Sequence, residues 1–317
     1  MSLSDRLHRA ASDLGSLGRL TEPLGPLTTY RVGGCAAIFA APTSRTELLD
    51  VAAVVARYDL PVLVLGRGSN LLIADSGFAG IAISLAELAN EIDVSGLEVR
   101  SGSAVALPVL ARKTAAMGLT GFEWAVGVPG SIGGAVRMNA GGHGSDMAAC
   151  LISAEVLDLR DLHCRWRPVE DLGLRFRGSN LSDQEIVLTA RLQLEAGDVD
   201  RSEREIADIV RWRRENQPGG QNAGSVFVNP IPGELSAGEL IDRLGLRGFQ
   251  IGGAFVSEKH ANFIQAGEGA TASDVKAVMD EVRERVARAT RFELRSEVRL
   301  VGFATADAVR PERGSRG

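Results

Sequence analysis

Apolar residues along the first third of the chain alternate between two periods. Short β-rich apolar runs at 36–41 and 61–65 flank a segment, RTELLDVAAVVARY (45–58), whose apolar positions recur at helical spacing. With further apolar runs at 70–73 and 80–84, this predicts a small α/β unit of β-α-β character. A second helix is predicted near 105–117, and strands near 152–158, 163–168 and 185–195. These make the second unit α+β. The charged helical pattern at 199–215 changes the character of the chain and sets a boundary near 197. Beyond it, helices are expected at 236–244 and 273–288, the latter opened by Thr271 and Asp274 as a capping pair. A strand at 293–301 closes the third unit. The arginine- and glycine-rich residues 304–317 read as a disordered tail.

Between these elements lies GVPGSIGGAVRMNAGGHG (127–144), with seven glycines in 18 positions and large apolar residues interspersed. A flexible linker would be serine-rich and lack those residues. An ordered loop that brings bare N–H groups close to a phosphate fits better. The run at 61–65 ends in a second glycine turn, Gly66-Arg67-Gly68-Ser69-Asn70. Neither turn has the spacing of the Rossmann fingerprint, and none of Lys113, Lys259 and Lys276 follows a G-x-x-x-x-G, so a different dinucleotide fold is implied.

Composition narrows the chemistry. With 317 residues, 45% hydrophobic content and a net charge of −5, the chain reads as a globular protein of two or three units. It reads as neither a general nucleic-acid binder nor a membrane protein. No secretory leader is evident, so a cytoplasmic location is expected. Cys35, Cys150 and Cys164 form no disulfide framework and no metal-ligand spacing, so no metal is expected and redox chemistry would need an organic cofactor.

Three later segments carry candidate chemistry. In Phe176-Arg177-Gly178-Ser179-Asn180 an arginine enters a turn; alone, it reads as a solvated side chain. In Asn222-Ala-Gly-Ser225-Val-Phe-Val-Asn229-Pro230 the serine could be a nucleophile, a hydrogen-bond donor or a turn residue, with G-x-S-x-G absent. In 294–301, alternation puts Arg295, Glu297 and Arg299 on one face, which reads by itself as a solvated strand face.

Taken in order, TTYRVGG (28–34), LGRGSNLL (65–72), the long glycine loop, FRGSN, AGSVFVNP, GGAFVSEKHANFI (252–264) and SEVRLVG (296–302) resemble the UDP-N-acetylenolpyruvoylglucosamine reductase family, over roughly residues 20–303. The resemblance implies an α+β protein: a two-part FAD-binding fold of the vanillyl-alcohol-oxidase type (1–85 and 86–197) and a C-terminal α+β substrate domain (198–303). It further implies FAD and NADPH as cofactors and a UDP-sugar enolpyruvyl ether as substrate, in peptidoglycan synthesis. Arg177, Ser225 and Glu297 match the family's catalytic positions. FAD contacts are implied at Arg31, Gly66, Gly68, Ser69, Asn70, Gly127, Pro129, Ser131, Ile132, Gly133, Gly134, Asn139 and Gly144. Asn229 matches a substrate contact; Arg211, Arg213 and Arg214 are candidates for the diphosphate and read equally well as a solvated helix end, with Arg214 taken as the expected substrate contact. The chain departs from the family at Val228 (usually lysine), Phe176 (commonly tyrosine) and His143 (commonly tyrosine), and resembles the branch without an inserted tyrosine loop. A monomer is expected. Two other readings compete: a flavin oxidase or dehydrogenase of hydroxy acids or alcohols, and a nucleotide-binding protein without turnover.

Overall fold

The computed structural model describes residues 1–303, and the tail expected at 304–317 lies outside the described residues. The first unit is a four-stranded sheet in the order Arg19–Pro23, Cys35–Ala40, Phe78–Ser84, Val62–Leu65. Its last three strands run parallel. Helix Arg45–Tyr58 makes the crossover, with Ser44 accepting from the Glu47 N–H at its N-terminus. Leu48, Val51, Ala52 and Val55 are its buried stripe, at the spacing a half-buried helix requires.

The second unit is a five-stranded antiparallel sheet in the order His163–Pro168, Leu151–Asp158, Glu185–Gln193, Glu98–Gly102, Ile92–Ser95. Helices Leu107–Ala116 and Ile132–Met138 cover one face. The second of these helices lies inside the glycine loop. Leu157, Leu159, Ile186 and Leu188 pack with the first unit, so the two sheets share a core. Arg45 adds a bidentate ion pair to Glu155 across that junction, at 2.7 and 2.6 Å.

Helix Val199–Asn216, which the change in sequence character assigns to the third unit, packs on the second. Ile206 and Ile209 enter the second core, and the Ser202 hydroxyl donates to buried Glu123 at 2.5 Å. Hydrophobic periodicity shows which face a helix buries but not against which neighbour.

The third unit holds helices Ala237–Arg243 and Ala272–Thr290 and a three-stranded sheet, Gln250–Ile251, Ala254–Val256 and Ile264–Ala266. The Thr271–Asp274 capping box forms as the sequence indicates. The closing strand is shorter than expected, Arg299–Val301, and leaves its own unit to pair in parallel with Leu71–Ile73 of the first. Tyr30, Val32 and Leu72 of the first unit are in turn buried in the third unit's core.

Candidate active site

The shortest segments build most of the site. Arg175 and Gly178 exchange backbone hydrogen bonds at 2.9 and 3.0 Å, leaving Phe176 and Arg177 as a two-residue loop. Arg177 takes φ 56°, a left-handed conformation that a non-glycine residue holds only where its surroundings fix it. Its guanidinium donates from Nε to Glu297 Oε2 at 2.9 Å and from Nη1 to the Gly141 carbonyl at 3.2 Å. The face read as solvated is therefore a mating face. Glu297 is largely buried, and burial pushes its carboxyl up from the ordinary 4.5 while Arg177 and then Arg295 pull it back.

Ser225 reaches the same place through backbone pairing. The Asn222 side chain accepts from the Gly224 N–H at 3.0 Å, and Gly224 takes φ 78°, a turn that suits glycine. The next residue, Val226, accepts the Glu297 N–H at 2.8 Å, and Phe227 bridges to Ser296. The first unit completes the lock: Asn70 Nδ2 donates to the Glu297 carbonyl at 3.1 Å, and the Arg299 N–H donates to the Asn70 carbonyl at 3.0 Å. Thus Arg177 and Glu297, 120 positions apart, and the backbone of Val226 next to Ser225 meet where all three units join.

Behind this point a cavity runs between the first two units, walled by Val62 and Val64 on one side and by Gly66, Ser131, Gly133 and Gly134 on the other. A neighbouring cavity shares Gly66 and adds Thr28, Thr29, Arg31 and Arg67. Here the glycines permit close backbone approach: a Cβ on Gly66 would sit 2.4 Å from Ser131 Oγ, and one on Gly133 would sit 2.8 Å from Ser103 Cβ. Ser131 heads the helix Ile132–Met138 without spending its hydroxyl on a cap, and the buried Thr29 hydroxyl has no partner among the described residues. A long ligand rich in acceptors and phosphate oxygens fits that donor set.

Other expected contacts have structural tasks. Ile132 is fully buried in the second core and donates its N–H to the Val105 carbonyl. Asn139 ends the helix in a left-handed conformation, its amide donating to Asp146 and its carbonyl oxygen accepting from the Ala148 N–H. His143 and Gly144, at φ 52° and 87°, are the turn of the Gly141–Gly142 and Ser145–Asp146 hairpin, a pair of positive values typical of a two-residue connection. Gly127 packs under the His143 ring, and Pro129 is exposed. Gly68, at φ 60°, lies against the Leu27 carbonyl, while Ser69 sits beside Gly130. The Asn229 side-chain oxygen accepts the Ala237 N–H at 3.1 Å, which leaves its amide group available. Arg214 is exposed. Arg213 is the half-buried member of that helix end, its charged form disfavoured by burial and without an acidic partner among the described residues. The helix turns on a 100° step, so adjacent arginines cannot face the same way.

Sequence reasoning missed Thr29, Arg137 and Arg299 as wall residues. The first stands in TTYRVGG, the second inside the glycine loop and the third in SEVRLVG, so a signal existed for each.

The glycine-lined cleft between the two sheets, with a third unit packed beside it, is the arrangement of a two-part FAD-binding fold. Residues 36–161 match the FAD binding domain model, and residues 216–301 match the UDP-N-acetylenolpyruvoylglucosamine reductase, C-terminal domain model. Proteins of that name from Heliobacterium modesticaldum and Gloeobacter violaceus are 42% and 45% identical over 283 and 285 residues, covering 89% and 88% of this chain and 90% and 94% of theirs. The crystal structure of UDP-N-acetylenolpyruvylglucosamine reductase from Thermus caldophilus superposes with a TM-score of 0.78 at 34% identity, over 90% of this chain and 99% of that one. The chain belongs to the UDP-N-acetylenolpyruvoylglucosamine reductase family. It is an FAD-containing oxidoreductase.

Proposed function

We propose that this protein uses NADPH and FAD to reduce UDP-N-acetylglucosamine enolpyruvate to UDP-N-acetylmuramate, in the cytoplasm and as a monomer, for peptidoglycan synthesis. The observation that carries this reading is the meeting of Arg177, Glu297 and the Ser225 segment beside the glycine-walled cleft. FAD, when bound, accepts electrons from NADPH and supplies the hydride for the enolpyruvyl methylene carbon. Thr29, Arg31, Gly66, Ser131, Gly133 and Gly134, which line the two cavities, would hold it.

Addition of hydride at the methylene carbon leaves an electron pair on the α-carbon, delocalised into the adjacent carboxylate. Arg177 stabilises that enolate with a fixed guanidinium. The Ser225 hydroxyl gives its proton to the α-carbon, a contribution typically of about 10²–10⁴ in rate. Burial raises the Glu297 carboxyl and so favours the form that can donate a hydrogen bond to an enolate oxygen. The exposed Arg214 and the half-buried Arg213 are candidates for the diphosphate, with the Asn229 amide as a further substrate contact.

The test is anaerobic stopped-flow absorbance of the flavin, NADPH first and enolpyruvyl substrate second. In Ser225→Ala, bleaching by NADPH stays near the wild-type rate, while recovery on adding substrate slows at least about 100-fold. Equal slowing of both half-reactions removes the proton-donor role. Wild-type bleaching without recovery directs the reading toward another electron acceptor.

A further inference from the structure

Glu297 and Arg299 stand on either side of a bend at Val298, where the chain enters the closing strand Arg299–Val301. The segment 177–183 of the second unit supplies Arg177 and Asp183 against them. Two ion pairs of opposite polarity result, Arg177 to Glu297 at 2.9 Å and Asp183 to Arg299 at 2.8 Å.

The second pair has a third member. Arg137, from the glycine-loop helix, donates from Nη2 to the other Asp183 oxygen at 2.5 Å and from Nη1 to the Ser182 carbonyl at 2.6 Å. One carboxylate therefore joins two guanidiniums from different units, and all three side chains line the cavity that the glycine turns wall. Arg137 is tied to the same loop a second time, since its carbonyl accepts from the Ser179 hydroxyl at 2.7 Å.

We propose that Asp183, held between Arg137 and Arg299, is a clasp that keeps FAD in its cleft. The inference rests on FAD occupying that cavity. Asp183 is a positioning residue: it acts by joining the strand Arg299–Val301 to the helix that walls the cofactor. Asp183 is about half exposed and Arg299 about a third. An exposed single pair contributes little, so the effect depends on the shared carboxylate and is sensitive to salt.

The experiment follows flavin fluorescence as FAD leaves diluted holoenzyme, for wild type, Asp183→Asn, Arg299→Gln and the double variant. Wild-type release is expected to be slow at low salt and to quicken as salt is raised toward about 1 M, where the Debye length is near 3 Å. Asp183→Asn is expected to release FAD about tenfold faster at low salt, with most of the salt response gone. The double variant is expected to be no faster than the faster single variant, because either change opens the same contact. Release from Asp183→Asn at the wild-type rate, or effects of the two changes that multiply, overturns the clasp. So does an undiminished salt response in Asp183→Asn. Denaturant unfolding of each apo-protein separates general weakening of the fold from loss of retention. A wild-type chain that takes up no FAD removes the cofactor reading itself, and the clasp with it.

Discussion

At the scale of single residues, the site uses conformations and protonation states that only burial explains. Arg177 has a left-handed backbone, and its guanidinium lies 5.1 Å from the exposed Phe176 ring while bonding Glu297. The loop thus presents one flat cation in one direction. Glu297 sits above the ordinary carboxylate pKa because burial outweighs Arg177, so the folded state favours its protonated form. A raised carboxyl costs stability as pH climbs from the unfolded value near 4.5 through the folded one, and the penalty persists above it. Glu297→Gln, which mimics the protonated form, should therefore gain stability relative to wild type over that rise. Paired denaturant titrations at pH 4 and pH 8 measure the difference; a constant gap across pH would mean that Glu297 is not strained by burial. Stability gained in this way is expected to accompany lost turnover.

At the scale of elements, periodicity and capping made most helices readable. The stripe of 45–58 and the capping box at 271–274 need only local chemistry, so the helices form where the pattern puts them. The glycine loop was legible as ordered rather than a linker, but the helix Ile132–Met138 within it was not, because two adjacent glycines argue against helix. Packing reverses that preference. Gly133 donates its N–H to the Ser103 carbonyl at 2.8 Å, and a side chain there would collide with Ser103. Gly133→Ala should cost about 1–3 kcal/mol and lower the flavin content of purified protein, read from denaturant unfolding and the flavin-to-protein absorbance ratio. Full flavin content with unchanged stability would show that the helix can move off Ser103.

At the scale of the whole molecule, the third unit is fixed to the first by strand pairing and by one carboxylate. Asp75 accepts from the Ala272 N–H, the Ser273 N–H and the Ser273 hydroxyl, at 2.9, 2.9 and 2.5 Å, and so caps a helix of the third unit from outside it. Asp75→Ala should lower stability by about 1–2 kcal/mol and speed amide exchange in the first turn of Ala272–Thr290, while exchange in the Arg45–Tyr58 helix is unchanged. Equal acceleration in both helices would show global rather than local loosening. Among the described residues no helix is long and apolar enough to cross a membrane.

By itself the sequence determined the local elements, the glycine turns and, through motif order, the candidate residues Arg177, Ser225 and Glu297, because capping, periodicity and backbone freedom act over a few residues. The tertiary structure decided which neighbours those elements meet. It moved the helix Val199–Asn216 onto the second core, turned Arg213 inward and Arg214 outward, and gave Asn139, Gly144 and Ile132 structural tasks. It also converted the charged face of 295–299 from an apparently solvated strand into the contact between units. Those outcomes depend on pairings more than a hundred residues apart, such as Arg177 with Glu297 and Asp183 with Arg299. Alternation along a strand gives the direction of a side chain; only the folded chain supplies the opposite charge that offsets part of the cost of burying it.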